Sequence, residues 1–115
     1  MDNGFLIVIA LFFAHELDAI LQKEWRFFGA LLRLDDAPMY KLFIALHVPL
    51  LVFLVVNSDQ MWLHVGLDIF AMIHVALHWF LRKHPLVGFN NWFSWLWIVG
   101  TSIAGGVHLW VSHLL

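Results

Sequence analysis

Four long apolar runs, each near the roughly 20 residues that cross a hydrocarbon core, alternate along the chain with short polar interruptions. The first runs from about Gly4 to Trp25 and the second from about Met39 to Val56. The third runs from about Met61 to Leu81 and the fourth from about Trp92 to Leu114. The interruptions carry capping and turn chemistry. Asp35-Asp36-Ala37-Pro38 offers an N-cap followed by a proline in the first turn of the second run. Asn57-Ser58-Asp59 is a tight polar turn before the third, and His84-Pro85 through Asn90-Asn91 stops the third and caps the fourth. From Arg26 to Leu34, Phe27, Phe28, Leu31 and Leu32 recur at helical spacing. That stretch reads either as an amphipathic segment lying in the interface or as the end of the first helix, the latter slightly ahead. The pattern predicts an all-α fold, an integral membrane four-helix bundle formed as one domain over residues 1–115.

Composition reinforces the membrane reading. The chain is 63% hydrophobic and 12% charged, about half the charge of a soluble domain. So few charged residues cannot cover a water-facing surface, and the bilayer removes the need for one. There are no cysteines, which excludes disulfides, thiolate metal sites and thiol nucleophiles. A net charge of −2 gives no case for nucleic acid. The apolar N-terminal run reads as a span rather than a signal peptide: no Lys or Arg precedes it, and Ala14-His15-Glu16 is not a small-residue cleavage site.

Charge then sets an orientation. Lys23, Arg26, Arg33, Lys41, Arg82 and Lys83 all flank the connections between the first and second and the third and fourth runs. The positive-inside rule places those connections in the cytoplasm and both termini outside, in a bacterial inner (plasma) membrane. Trp25, Trp79 and Trp92 then mark the inner interface, and Trp62 and Trp110 the outer one.

Against this apolar background stand eight histidines and several carboxylates. Ionisable groups within a membrane are costly and belong in the bundle interior or a cavity. At about 1.5 Å per residue, Asp18 lies roughly 10 Å and His15 roughly 15 Å from the end near Trp25. On the same scale, His47 lies roughly 9 Å above Lys41, and His78 and His74 roughly 6 and 12 Å above Arg82. These depths form one layer in the cytoplasmic half. Leu11, His15, Asp18, Gln22 and Trp25 share one helical stripe, and His64, Asp68, Ala71, Val75 and His78 another. His74 and His78 have the His-x-x-x-His spacing that lets two imidazoles on one helix share a metal. Pro49, two residues beyond His47, removes a hydrogen bond to the Ala45 carbonyl and is placed to bend the helix there. In the outer half, Asp68 and His108 fall at similar depth and form a candidate polar pair. His64 and His113 read as solvated interface residues, Glu24 as solvated or paired with Arg26 or Arg33, and His84 as a loop residue.

The His15-Glu16-Leu17-Asp18-Ala19 run followed by Glu24-Trp25-Arg26 resembles a signature of small uncharacterised bacterial integral membrane proteins. More remotely it resembles the HXXEE-motif membrane proteins, with Ala19 at the position of the second acidic residue. The resemblance implies the topology and marks His15, Glu16 and Asp18, but supplies no chemistry.

The residues themselves point first to an intramembrane metal site. His15, His47, His74 and His78 are the ligand candidates, with Asp18 as ligand or orienter, and Asp18 and Glu16 are the candidate catalytic carboxylates. Imidazole with carboxylate suits Zn or non-haem Fe. A site at that depth suits metal-dependent hydrolysis or oxidation of a lipid near its head group. Alternatives are a b-type haem held between facing histidines and a small proton-coupled transporter or channel subunit working as a homo-oligomer.

Overall fold

Each long apolar run becomes a helix whose start is fixed by a polar side chain or a polar turn. The computed structural model describes residues 2–86 and 91–115. The Asp2 carboxylate accepts the Phe5 N–H at 2.7 Å and starts α1, Asn3–Leu21. A short helix, α2, spans Trp25–Leu32. Asp35 precedes α3, Asp36–Val56, which runs through Pro49 as one helix. The Asn57–Gln60 turn leads into α4, Met61–Leu81. Asn91 accepts the Ser94 N–H at 2.8 Å and starts α5, Trp92–Leu109, which continues as a π-helical turn over Trp110–Leu114. Residues 87–90 of the His84–Asn91 connection lie outside the described residues. Four helices, α1, α3, α4 and α5 with its π turn, are long and apolar enough to cross a membrane. The fold is an all-α four-helix bundle with one added short helix.

That short helix corrects the reading of Arg26–Leu34 as the end of the first helix. α1 stops at Leu21 because Lys23 takes a left-handed backbone, φ 59°, and the Glu24 N–H reaches back to the Ala19 carbonyl at 3.0 Å. Arg33, φ 57°, ends α2 in the same way, with the Leu34 N–H on the Gly29 carbonyl at 2.9 Å. Both are helix stops of the kind usually made by glycine. α2 packs on the start of α3 through Trp25, Met39 and Phe43.

α1, α4 and α5 form the tight part of the bundle. Their buried positions follow helical stripes, such as His64, Asp68, Ala71 and His78 on α4 and Ser94, Ile98, Thr101, Gly105 and His108 on α5. At the closest crossing a Cβ on Gly105 would sit 2.8 Å from the Ala71 Cβ, the small-residue contact expected between membrane helices. Polar side chains are almost as frequent as apolar ones among the buried residues, while large apolar side chains cover the outside. This is the inside-out distribution that lipid allows. α3 differs: only Met39 and Phe43, at its start, are buried. An apolar cavity of about 570 Å³ separates the rest of α3 from α1 and α4.

Contacts of Glu24 with His78 at one end, and of Asp2 with His64 and His108 at the other, set α1 and α4 side by side in the same direction. The connections carrying all six Lys and Arg therefore share one end of the bundle, the basic end.

Candidate metal centre

At the basic end three imidazoles meet ring nitrogen to ring nitrogen. The His74 Nε2 lies 2.8 Å from the His15 Nε2 and 3.0 Å from the His78 Nε2. α4 supplies His74 and His78 one turn apart, and the buried stripe of α1 supplies His15. The rings stand edge to face, with centroids 4.6–5.2 Å apart. A ring nitrogen carries either one proton or one lone pair. Hydrogen bonding would have to serve both contacts of the His74 Nε2 through a single proton or a single lone pair, whereas a metal accepts three lone pairs at once. With metal–nitrogen bonds of about 2.0–2.1 Å, ligand nitrogens sit ~2.9 Å apart at right angles and ~3.3 Å apart in a tetrahedron. The two separations from the His74 nitrogen, 2.8 and 3.0 Å, sit at the right-angled end of that range.

Glu24 completes the group. One of its carboxylate oxygens lies 3.8 Å from the His78 Nε2, and its side chain is 15% exposed. One donor atom from each of His15, Glu24, His74 and His78 lies within 4.8 Å of all the others. Burial pushes the Glu24 carboxyl up to about 8; the Glu16 carboxylate adds to this and His47 opposes it. A carboxylate held in that environment is the partner a cation favours. Beside the group an apolar cavity of about 420 Å³ is lined by Phe27, Phe28, Phe70, Leu77 and Leu81, with Glu24, His74 and His78 in its wall.

Other candidates lie elsewhere. His47 is not with the three converging imidazoles. Its Nδ1–H donates to the Phe43 carbonyl at 2.6 Å, and its Nε2 meets a Glu16 oxygen at 2.7 Å. This pair faces the larger cavity between α1 and α3. Glu16 is the physical reason: it stands about 100° round α1 from His15, so His47 meets α1 on a different face at the same depth. Asp18 is buried, 6% exposed, and neither carboxylate oxygen has a hydrogen-bond partner among the described residues. It is not among the four converging donors. In the far half, the His108 Nδ1–H donates to Asp68 at 2.5 Å, making the expected pair. Glu24 is the residue that spacing placed elsewhere. Nine residues of ideal helix put it opposite His15, but the left-handed stop at Lys23 turns it inward.

A family model matches residues 1–115. The chain belongs to DUF6713, a family of unknown function. The DUF6713 match takes in all four long helices, well beyond the His15–Arg26 signature. No curated protein and no solved structure matches the chain. For this DUF6713 member the chemistry therefore has to come from the site.

Proposed function

We propose that the protein is an intramembrane metalloprotein whose His15–Glu24–His74–His78 centre acts as a metal-dependent hydrolase or oxidase on a long-chain lipid. The observation that carries this reading is the convergence of three imidazoles, with the His74 Nε2 2.8 Å from the His15 Nε2 and 3.0 Å from the His78 Nε2. Three imidazoles and one carboxylate suit Zn or non-haem Fe. Such an ion polarises a carbonyl or lowers the pKa of a bound water toward 7.

The chain's own residues define the substrate class. The wall of Phe27, Phe28, Phe70, Leu77 and Leu81 accepts an apolar chain and excludes water from the face of the ligands. His78 and His74 lie three and seven residues from the end of α4, depths of ~5 and ~10 Å. The reactive bond of a lipid, where head group meets acyl chain, lies at that level. The haem alternative is disfavoured by the same geometry. Two imidazoles holding a haem iron would need nitrogens ~4 Å apart, and the His74 nitrogen lies nearer than that to both His15 and His78.

Metal analysis of the protein purified in detergent without chelator tests the reading. His15→Ala, His74→Ala and His78→Ala should each lose one metal equivalent relative to the unaltered chain, with His47→Ala and His84→Ala unchanged. Equal metal content in all six proteins would refute the centre.

A further inference from the structure

We infer that the far end of the bundle holds a second metal site, formed by His64, His108, His113 and Asp2, binding a divalent ion of the zinc class as a clamp. It is independent of the centre at the basic end.

Converging ring nitrogens make the case. The His108 Nδ1–H donates to Asp68, and its Nε2 faces the Asp2 carboxylate, with the two oxygens at 3.0 and 3.1 Å. The His64 Nε2–H donates to the Ser58 carbonyl at 2.6 Å, which leaves its Nδ1 3.6 Å from the same carboxylate. A divalent ion between them would stand in place of a proton on the His108 Nε2 and take the His64 nitrogen and an Asp2 oxygen together. His113 adds a third nitrogen, a buried Nε2 with no hydrogen-bond partner among the described residues. One ring nitrogen from each of His64, His108 and His113 lies within 4.8 Å of the other two.

The surroundings are those of a metal site. Metal-bound histidines usually donate their other ring N–H to a carboxylate or backbone carbonyl, which is what Asp68 and Ser58 provide. Charge points the same way. Asp68 is fully buried, and every Lys and Arg of the chain flanks the opposite end. A divalent ion balances Asp2 and Asp68 with all three imidazoles neutral.

Backbone irregularity builds the site. The Leu115 N–H reaches the Trp110 carbonyl at 3.0 Å across five residues. That π turn, a feature concentrated at functional sites, brings His113 round toward His108, with ring centroids 5.6 Å apart. Gly4 lets α1 approach: a Cβ there would lie 2.8 Å from the His108 ring. Three nitrogens and one oxygen from the protein supply the four donors of a tetrahedral zinc-class site, and together they join chain positions 2, 64, 108 and 113.

Zinc and cobalt(II) titration of the full chain in detergent tests this. The unaltered protein should bind two equivalents. His64→Ala, His113→Gln and the exposed Asp2→Asn should each bind one, at the basic end, and His74→Ala should bind one, at the far end. His64→Ala combined with His74→Ala should bind none. Asp2→Asn and His113→Gln guard against misfolding of the buried His64→Ala variant. If all three far-end variants bind as many equivalents as the unaltered chain, the second site is overturned. If His74→Ala binds as much as the unaltered chain while the far-end variants lose one, the basic-end centre fails and the far-end site stands.

Discussion

The two ends of this bundle gather histidines by different means. At the basic end, two of the three imidazoles stand one regular α-helical turn apart on α4, and the third comes from the buried stripe of α1. The nitrogens approach to 2.8–3.0 Å, and an apolar cavity opens beside them. At the far end the histidines come from two helices and a π turn, the His64 and His108 rings are braced from behind by Ser58 and Asp68, and the carboxylate comes from the cap of α1. The proposed basic-end centre has an apolar cavity beside it that can admit a substrate, whereas the proposed far-end site ties together chain positions 2, 64, 108 and 113.

The sharpest way to break this contrast is to remove one residue from the π turn. Deleting Val111 would return that stretch to α geometry and carry His113 away from His108 by about one residue's rotation, roughly 100°. The far-end equivalent of zinc should be lost entirely and the basic-end equivalent retained. Retention of two equivalents would show that His113 is not a ligand.

The bracing carboxylate gives a graded test. Asp68→Asn keeps the shape but removes the charge behind His108. Losses of this kind cost about 10–100-fold in metal affinity, so zinc competition should show a drop of that size at the far end alone. An equal drop at both ends would mean that the variant loosens the whole bundle. Gly4→Ala should act next in order. Its methyl would press on a His108 ring already held by Asp68 and Asp2, and such overpacking costs about 1–3 kcal/mol. The melting temperature in detergent should fall, whereas Gly100→Ala, with open space around the position, should leave it unchanged or raise it.

What the sequence made legible follows the same division. Hydrophobic periodicity and caps indicate the four long helices, and helical phase brings His74 and His78 together with His15, because these depend on regular geometry. Phase fails wherever the chain leaves the α-helix. Glu24 lies past a left-handed stop, so counting at 100° per residue places it on the wrong face, and His113, which depth alone reads as a solvated interface residue, lies within a π turn. His47 fails for another reason, since depth along a helix says nothing about which face of the neighbouring helix it meets, and His47 meets Glu16 rather than His15. Asp2 carried a signal that spacing could have used: an acidic residue directly before an apolar run is an N-cap, which ties it to the same end as His64 and His108.

The smallest expected effect concerns the stop that the sequence concealed. Helices often end on a left-handed residue, and glycine is favoured there because it has no Cβ to clash. This chain places Lys23 at that point with φ 59°, so nothing in the local composition announces the break. The left-handed backbone costs a residue with a Cβ about 1–2 kcal/mol, partly offset by the greater entropy glycine loses on folding. Lys23→Gly should therefore raise stability by ~0.5–1 kcal/mol, seen as a small increase in melting temperature. Metal content should be unchanged, because the turn that directs Glu24 toward His78 is kept. Lys23→Val should do the reverse: a β-branched residue resists the left-handed region, so the stop weakens, α1 tends to run on, and Glu24 swings off the centre. If Lys23→Val held the basic-end metal as firmly as Lys23→Gly, Glu24 would not be a ligand, and the carboxylate of that centre would have to be sought in Asp18, the nearest buried one on α1.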